Sequence, residues 1–207
     1  MSFDTYSNFR TVVYNHLGGV TSADITTTSL DDIILEGEKY VNRKLRVKAM
    51  ETALSVTINS AGVATFPTDY MDAAYLYVTS SPNQILQKKA PEWIFREFSD
   101  RTATGIPKYV AEDAGTFIFG PAPSSTYTVK GTYYAKPSSL PGTATITSVF
   151  TAFPEIYLYA ALANAEPFLG REQRQIWQAK LDNAIMGANQ EDKRRKYSGG
   201  PLRASPG

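Results

Sequence analysis

The 207-residue chain has a single histidine, His16, and no cysteine. A serine or threonine nucleophile activated by an imidazole would have to borrow His16, and no nucleophile-elbow spacing accompanies it. Without cysteine there is no thiolate zinc site, no cysteine nucleophile and no disulfide, and one histidine is too little for zinc. The carboxylates gather as Asp31-Asp32, Asp69 with Asp72, Glu112-Asp113 and Glu191-Asp192. General acid–base catalysis needs two carboxylates in different environments across a cleft, and magnesium or calcium needs several converging oxygens. These groups stand at helix starts and turns, where capping and Asx bonding account for them. The glycines of "HLGGV" and "YSGGP" lack the spacing of a phosphate cradle. The chain is therefore read as a non-enzyme with no catalytic residue, cofactor or metal; an enzyme reading would rest on His16, Asp69 or Asp72.

Two other residue patterns point to binding. Thirteen tyrosines and ten phenylalanines could stack on bases or sugars, but most fall on expected strands, where aromatics pack well on a pleated face. Tyr75, Tyr77, Tyr127, Tyr133 and Tyr134 put rings on both faces of their strands, as a sandwich or a contact with a neighbouring subunit requires. The second pattern is the basic run Lys193-Arg194-Arg195-Lys196, followed by Tyr197 and a Ser-Gly-Gly-Pro stretch. At a helix C-terminus those cations suit the dipole; beyond them the tail has almost nothing apolar.

The totals exclude whole classes. Lys+Arg is 21 against Asp+Glu 20, so no global charge draws the chain to nucleic acid or an anionic membrane. The N-terminal stretch lacks the basic start and apolar core of a signal peptide. No run approaches the roughly 20 apolar residues of a membrane span, and a soluble protein without membrane partners is expected.

The elements that position these residues follow from periodicity. Phe3, Tyr6, Phe9, Val12, Val13 and Leu17 share a helix face that Gly18-Gly19 stops. A second helix is expected from Ser29 as N-cap, with Asp31 and Asp32 in its first turn, to about Met50. The period then changes to two. "LSVTI", the turn "NSAG" and "VATFP" read as a hairpin; "AAYLYVT" is a strand and "ILQKK" a short one. "PEWIFREFSD" is a short helix with Pro91 in its first turn, "KYVAEDAGTFIFG" a second hairpin, and "TYTVKGTYYA" a further strand. Helix returns at "FPEIYLYAALANAEPFL", broken or kinked at Pro167. The last helix, about 171–195, carries Ile176, Trp177, Lys180, Leu181, Ala184, Ile185 and Ala188 in register. Strands segregated from helices argue α+β: a bundle of about four helices with an inserted antiparallel β module. Its halves are 1–52 and 148–196, the β-rich insertion is 53–147, and 197–207 is an extended C-terminal arm.

Taken in succession, three long phrases resemble the head-to-tail adaptor (connector) proteins of tailed bacteriophages. The first is "YVNRKLRVKAMETALSVTI…GVATFPTDYMDAAYLYV", where a helix leads into a strand pair closed by Phe66-Pro67-Thr68-Asp69-Tyr70. The second is "GIPKYVAEDAGTFIFGPAP…YTVKGTYYAKPSSL", with Pro107-Lys108-Tyr109 running to Phe119-Gly120-Pro121-Ala122-Pro123. The third runs from Phe153 to Leu169 and on to a helix opening near Trp177. The likeness covers about 38–188 and leaves out the basic tail.

The resemblance implies a structural virion protein at the portal vertex, active in genome ejection and made in the host cytoplasm. It implies a homo-oligomeric ring of usually twelve copies that binds a portal protein and a tail or nozzle protein. DNA would pass through its channel without sequence-specific binding. On this reading Lys193, Arg194, Arg195, Lys196, Tyr197, Pro201, Leu202 and Arg203 meet the portal, and Tyr75, Tyr77, Tyr133 and Tyr134 meet a subunit or the tail. The rival reading is a β-rich module with helical flanks that binds glycan or nucleic acid through its tyrosines.

Overall fold

The computed structural model describes residues 5–18, 20–99, 101–141, 146–170 and 173–197. They form two compact units, one from the described parts of Met1–Met50 and Pro137–Gly207, the other Glu51–Lys136. Helices fill the first and antiparallel sheets dominate the second, an α+β protein.

In the helical unit, α1 (Tyr6–His16) starts where the Thr5 hydroxyl accepts the Asn8 N–H. Helix α2 (Thr27–Lys44) is capped by Thr26, whose Oγ1 accepts from Ser29 N. Ser29 therefore lies inside the helix and is not its cap, because the threonine three residues earlier already satisfies an orphan N–H. Asp31 and Asp32 consequently fall beyond the first turn. Asp31 instead accepts the Tyr6 hydroxyl at 2.6 Å and faces Arg10 at 3.5 Å, tying α2 to α1. The helix ends at Lys44, short of the expected Met50, which sits in a separate 3₁₀ turn, Lys48–Met50.

A short helix α4 (Ser148–Ala152) leads into α5 (Pro154–Phe168), on which α1, α2, α4 and α6 all pack. Helix α5 is buried nearly all round, and its alanines let neighbours close in: a Cβ on Gly37 of α2 would lie 3.1 Å from Ala160. Pro167 stands one residue before the end of α5, where it interrupts little. Helix α6 (Arg174–Tyr197) buries Leu181, Ile185 and Ala188. Ile176, expected on that face, is 57% exposed instead. The segment 137–141 goes with the helices, because Glu38 of α2, 4% exposed, accepts the Ser139 hydroxyl and the Leu140 N–H, each at 2.7 Å.

The β unit contains β1 (Glu51–Thr57), β2 (Val63–Thr65), β3 (Tyr70–Val78), β4 (Gln84–Ile85) and β5 (Gln87–Lys88), then the helix α3 (Pro91–Glu97). It continues with β6 (Thr104–Gly105), β7 (Tyr109–Asp113), β8 (Thr116–Gly120), β9 (Ala122–Pro123) and β10 (Thr128–Ala135). One sheet runs β1-β10-β3-β4 and the other β2-β8-β7-β5. The expected hairpin of β1 with β2 does not form. The turn at Asn59–Gly62 is present, but β1 pairs with β10 and β2 with β8, so the turn hands the chain from one sheet to the other. The second hairpin, β7 with β8 around Ala114-Gly115, forms as read. Two short pairings, β5 with β7 and β6 with β9, are parallel, a departure from a wholly antiparallel module.

Leu54, Leu76, Val78, Val129 and Tyr133 of the first sheet meet Val110, Phe117 and Phe119 of the second in a buried core. The far side of the second sheet is covered by α3 through Ile94, Trp93 and the following Phe98. Among the described residues of the unit, no helix covers the outer face of the first sheet.

Candidate interaction surfaces

The groups on which catalysis would have rested are occupied structurally. His16, exposed at the end of α1, has its Nδ1 2.9 Å from the Val12 carbonyl. In the β unit Asp69 accepts the Tyr133 hydroxyl at 2.9 Å. Lys88 bridges Asp72 at 3.1 Å and Glu112 at 2.7 Å, and Glu112 also accepts the Tyr70 hydroxyl at 2.7 Å. Burial and then the Asp69 carboxylate push the Tyr133 phenol up to about 12; burial and Glu112 raise Tyr70 as well. Such phenols stay protonated and donate to carboxylates. This is a network that ties the two sheets together by charge-assisted bonds. Among the described residues no cluster of three or more potential metal ligands occurs.

The first candidate surface is the outer face of the β1-β10-β3-β4 sheet. Alternation along β3 turns Leu76 and Val78 inward and Tyr75 and Tyr77 outward. The two rings stack at 6.5 Å and 8°, and Tyr75 remains 56% exposed. Tyr77 sits opposite Ile85 of β4, itself 71% exposed, and opposite Lys130 of β10. Tyr134 is half-buried on β10, opposite Asp72 and Glu51. Tyr133, grouped with these tyrosines from the sequence, points the other way into the core and is 5% exposed. One exposed ring stacked on a half-buried one, with an exposed isoleucine on the neighbouring strand, makes an apolar patch of the kind that marks contact sites.

The second surface is the end of α6. Lys193, Arg194, Arg195 and Lys196 are exposed on its last turn, where they offset the carbonyl end of the dipole. Arg195 pairs with Glu191 at 2.5 Å. Tyr197 closes the helix, while Pro201, Leu202 and Arg203 lie outside the described residues.

Sequence reasoning missed the neighbour of this turn. Asn189 accepts the Arg46 N–H at 2.8 Å and donates to the Lys44 carbonyl at 3.0 Å, and Asp192 accepts the Lys48 N–H at 2.9 Å. These bonds lay the end of α6 along the stretch "RKLRVK", residues 43–48. Two basic segments remote in sequence thus make one basic end of the helical unit. A little earlier on α6, Asp182 takes hydrogen bonds from Tyr40 at 2.6 Å, Lys44 at 2.9 Å and Gln178 at 3.2 Å. Burial raises its pKa, but these donors together outweigh that and hold it below the ordinary value.

Among the described residues no helix is long and apolar enough to cross a membrane. No curated protein matches the sequence at a significant level. The profile of the family described as SU10 adaptor protein matches residues 4–205. The chain belongs to that family, whose members are phage head-to-tail adaptors.

Proposed function

We propose that this adaptor is a structural, non-enzymatic virion protein. It forms a closed ring of about twelve copies at the portal vertex, joins the portal to the tail or nozzle, and extends the channel through which DNA passes. The observation that carries this reading is the family match, which spans residues 4–205 and so takes in both compact units. The helices are read as a discontinuous bundle of about four, α1, α2, α5 and α6. On this reading the inserted β-rich domain, expected over 53–147, corresponds to the compact unit Glu51–Lys136, and 197–207 is an arm.

Two surfaces support the assembly role. The Tyr75–Tyr77 stack with Ile85 offers a rigid apolar patch for a neighbouring subunit or the tail, since aromatic side chains give contact area at low entropic cost. The basic turn Lys193–Lys196 forms the base of an arm that reaches the portal. Eleven residues beyond Lys196 span on the order of 35 Å when extended, enough to cross a subunit boundary. A formal net charge of +1 suits a channel in which DNA slides without being held.

Imaging the particle vertex by cryo-electron microscopy tests the reading. Density for this chain as a ring between portal and tail is the expected result; its absence from that position would sink it. Removal of 197–207 should weaken attachment to the portal more than ring formation. Unchanged attachment would remove the arm from the proposal.

A further inference from the structure

We infer that the groove between α6 and the end of α2 is a docking site for an acidic, partly apolar segment of a partner polypeptide. The inference rests on the reading of Lys193–Lys196 as the base of a docking surface and adds the site's floor and the chemistry of its occupant. The groove has a volume of about 520 Å³ and is lined by Lys44, Asp182, Ile185, Met186, Asn189 and Lys193, with Gln190 alongside. Its walls are fixed. Asn189 has both side-chain polar atoms engaged on the backbone of Lys44 and Arg46, and Lys44 and Asp182 neutralise each other at 2.9 Å. What is left to attract a partner is net cationic: Lys193 on the rim, with Arg194 next to it on α6 and Lys48 beyond the lining, all exposed, against one carboxylate, Asp192, which accepts the Lys48 N–H.

The floor decides between kinds of polyanion. Ile185 is 4% exposed, but Met186 beside it is 54% exposed. An unbranched thioether adapts to whatever side chain enters. A DNA duplex would satisfy the cations through phosphate alone, with counterion release and no use for an apolar floor. A polypeptide that sets an apolar side chain between carboxylates satisfies both, as in helix-in-groove recognition. Charge complementarity then fixes orientation and encounter rate, and the methionine contact supplies burial.

The chain has four methionines, so carbon-13 labelling of their methyl groups gives a local probe, with Met186→Leu assigning its signal. The full-length protein is titrated with a synthetic glutamate-rich peptide carrying one leucine, with its Leu-to-Ala version, and with a 20-base-pair duplex. The leucine peptide should shift the Met186 methyl saturably and the alanine version bind several-fold more weakly. Lys193→Glu with Arg194→Glu should cost about tenfold or more in affinity. An unmoved Met186 methyl, or an equal response to the alanine peptide or the duplex, overturns the inference. Retention on immobilised portal protein separates this claim from the reading beneath it. If Met186→Glu leaves retention intact while deletion of 197–207 abolishes it, the portal reading stands and the groove falls. If no form is retained, the portal reading falls and the methyl titration alone decides the groove.

Discussion

Asn189 clips the chain as it leaves α2: its Oδ1 accepts the Arg46 N–H at 2.8 Å while its Nδ2 donates to the Lys44 carbonyl at 3.0 Å. One amide side chain thus satisfies a donor and an acceptor that the end of a helix leaves without intrahelical partners. It also fixes where the last turns of α6 lie, and with them the basic turn.

Replacing Asn189 with Ala should cost about 1 kcal/mol, because the Arg46 N–H is half-buried while the Lys44 carbonyl is exposed and can turn to water. Urea unfolding measures it. A loss below about 0.5 kcal/mol, the scale of an ordinary surface change, would mean that the clip contributes little.

Gly37 tests the helix packing. An alanine there gains up to about 1 kcal/mol in helix propensity. Its Cβ, however, would stand 3.1 Å from the Ala160 carbonyl carbon and 3.2 Å from its oxygen, backbone atoms of the central helix that cannot swing aside. Gly37→Ala should therefore destabilise by a net 1–2 kcal/mol or so, as overpacking does. A more stable variant by thermal denaturation would show that α2 and α5 stand further apart than described.

Asp182 carries a pH signature. Its folded pKa lies below the ordinary carboxylate value, so its contribution is present above about pH 4 and is lost as pH falls through the lower folded value. Its side chain is 43% exposed, which limits the contribution to about 1 kcal/mol or less. Asp182→Asn should lose that amount at neutral pH and flatten the fall of stability between about pH 5 and pH 2. Parallel stability curves for the two proteins would contradict it.

The tyrosine face separates folding from assembly. Tyr75→Ala removes an exposed ring and should change the stability of the isolated chain by only about 0.5 kcal/mol or less, while Tyr77→Ser, at a half-buried ring, should cost about 1 kcal/mol. Ring formation, followed by sedimentation, should fall clearly because exposed aromatics are the usual anchors of interfaces. Normal assembly of the double variant would free that face from the proposed contact.

Much of the architecture was legible because it is local. Pro91 and Pro154 open helices as their missing N–H allows, and Ala114-Gly115 turns a hairpin between strands of matching period. The misses come where partners are distant. Leu54 and Ile58 alternate as a hairpin strand would, yet periodicity carries no information on whether β2 or β10 lies alongside. Thr26 and Ser29 are both good caps by type, serine the better, and only the geometry of the helix start selects Thr26. Tyr133 and Tyr134 are neighbours in sequence that face opposite sides of one sheet. Which side is core depends on the second sheet, through Phe117 and Phe119. The basic run was visible, but its partnership with "RKLRVK" needed Asn189 and Asp192 to bring α6 beside it.

The central claim, a ring seated on a portal, is tested most directly by native mass spectrometry of the chain mixed with portal protein. The account predicts one complex in which about twelve copies of this chain ride on a closed portal ring. Spectra containing only the separate portal and the free chain, at concentrations well above those of assembly, would contradict it.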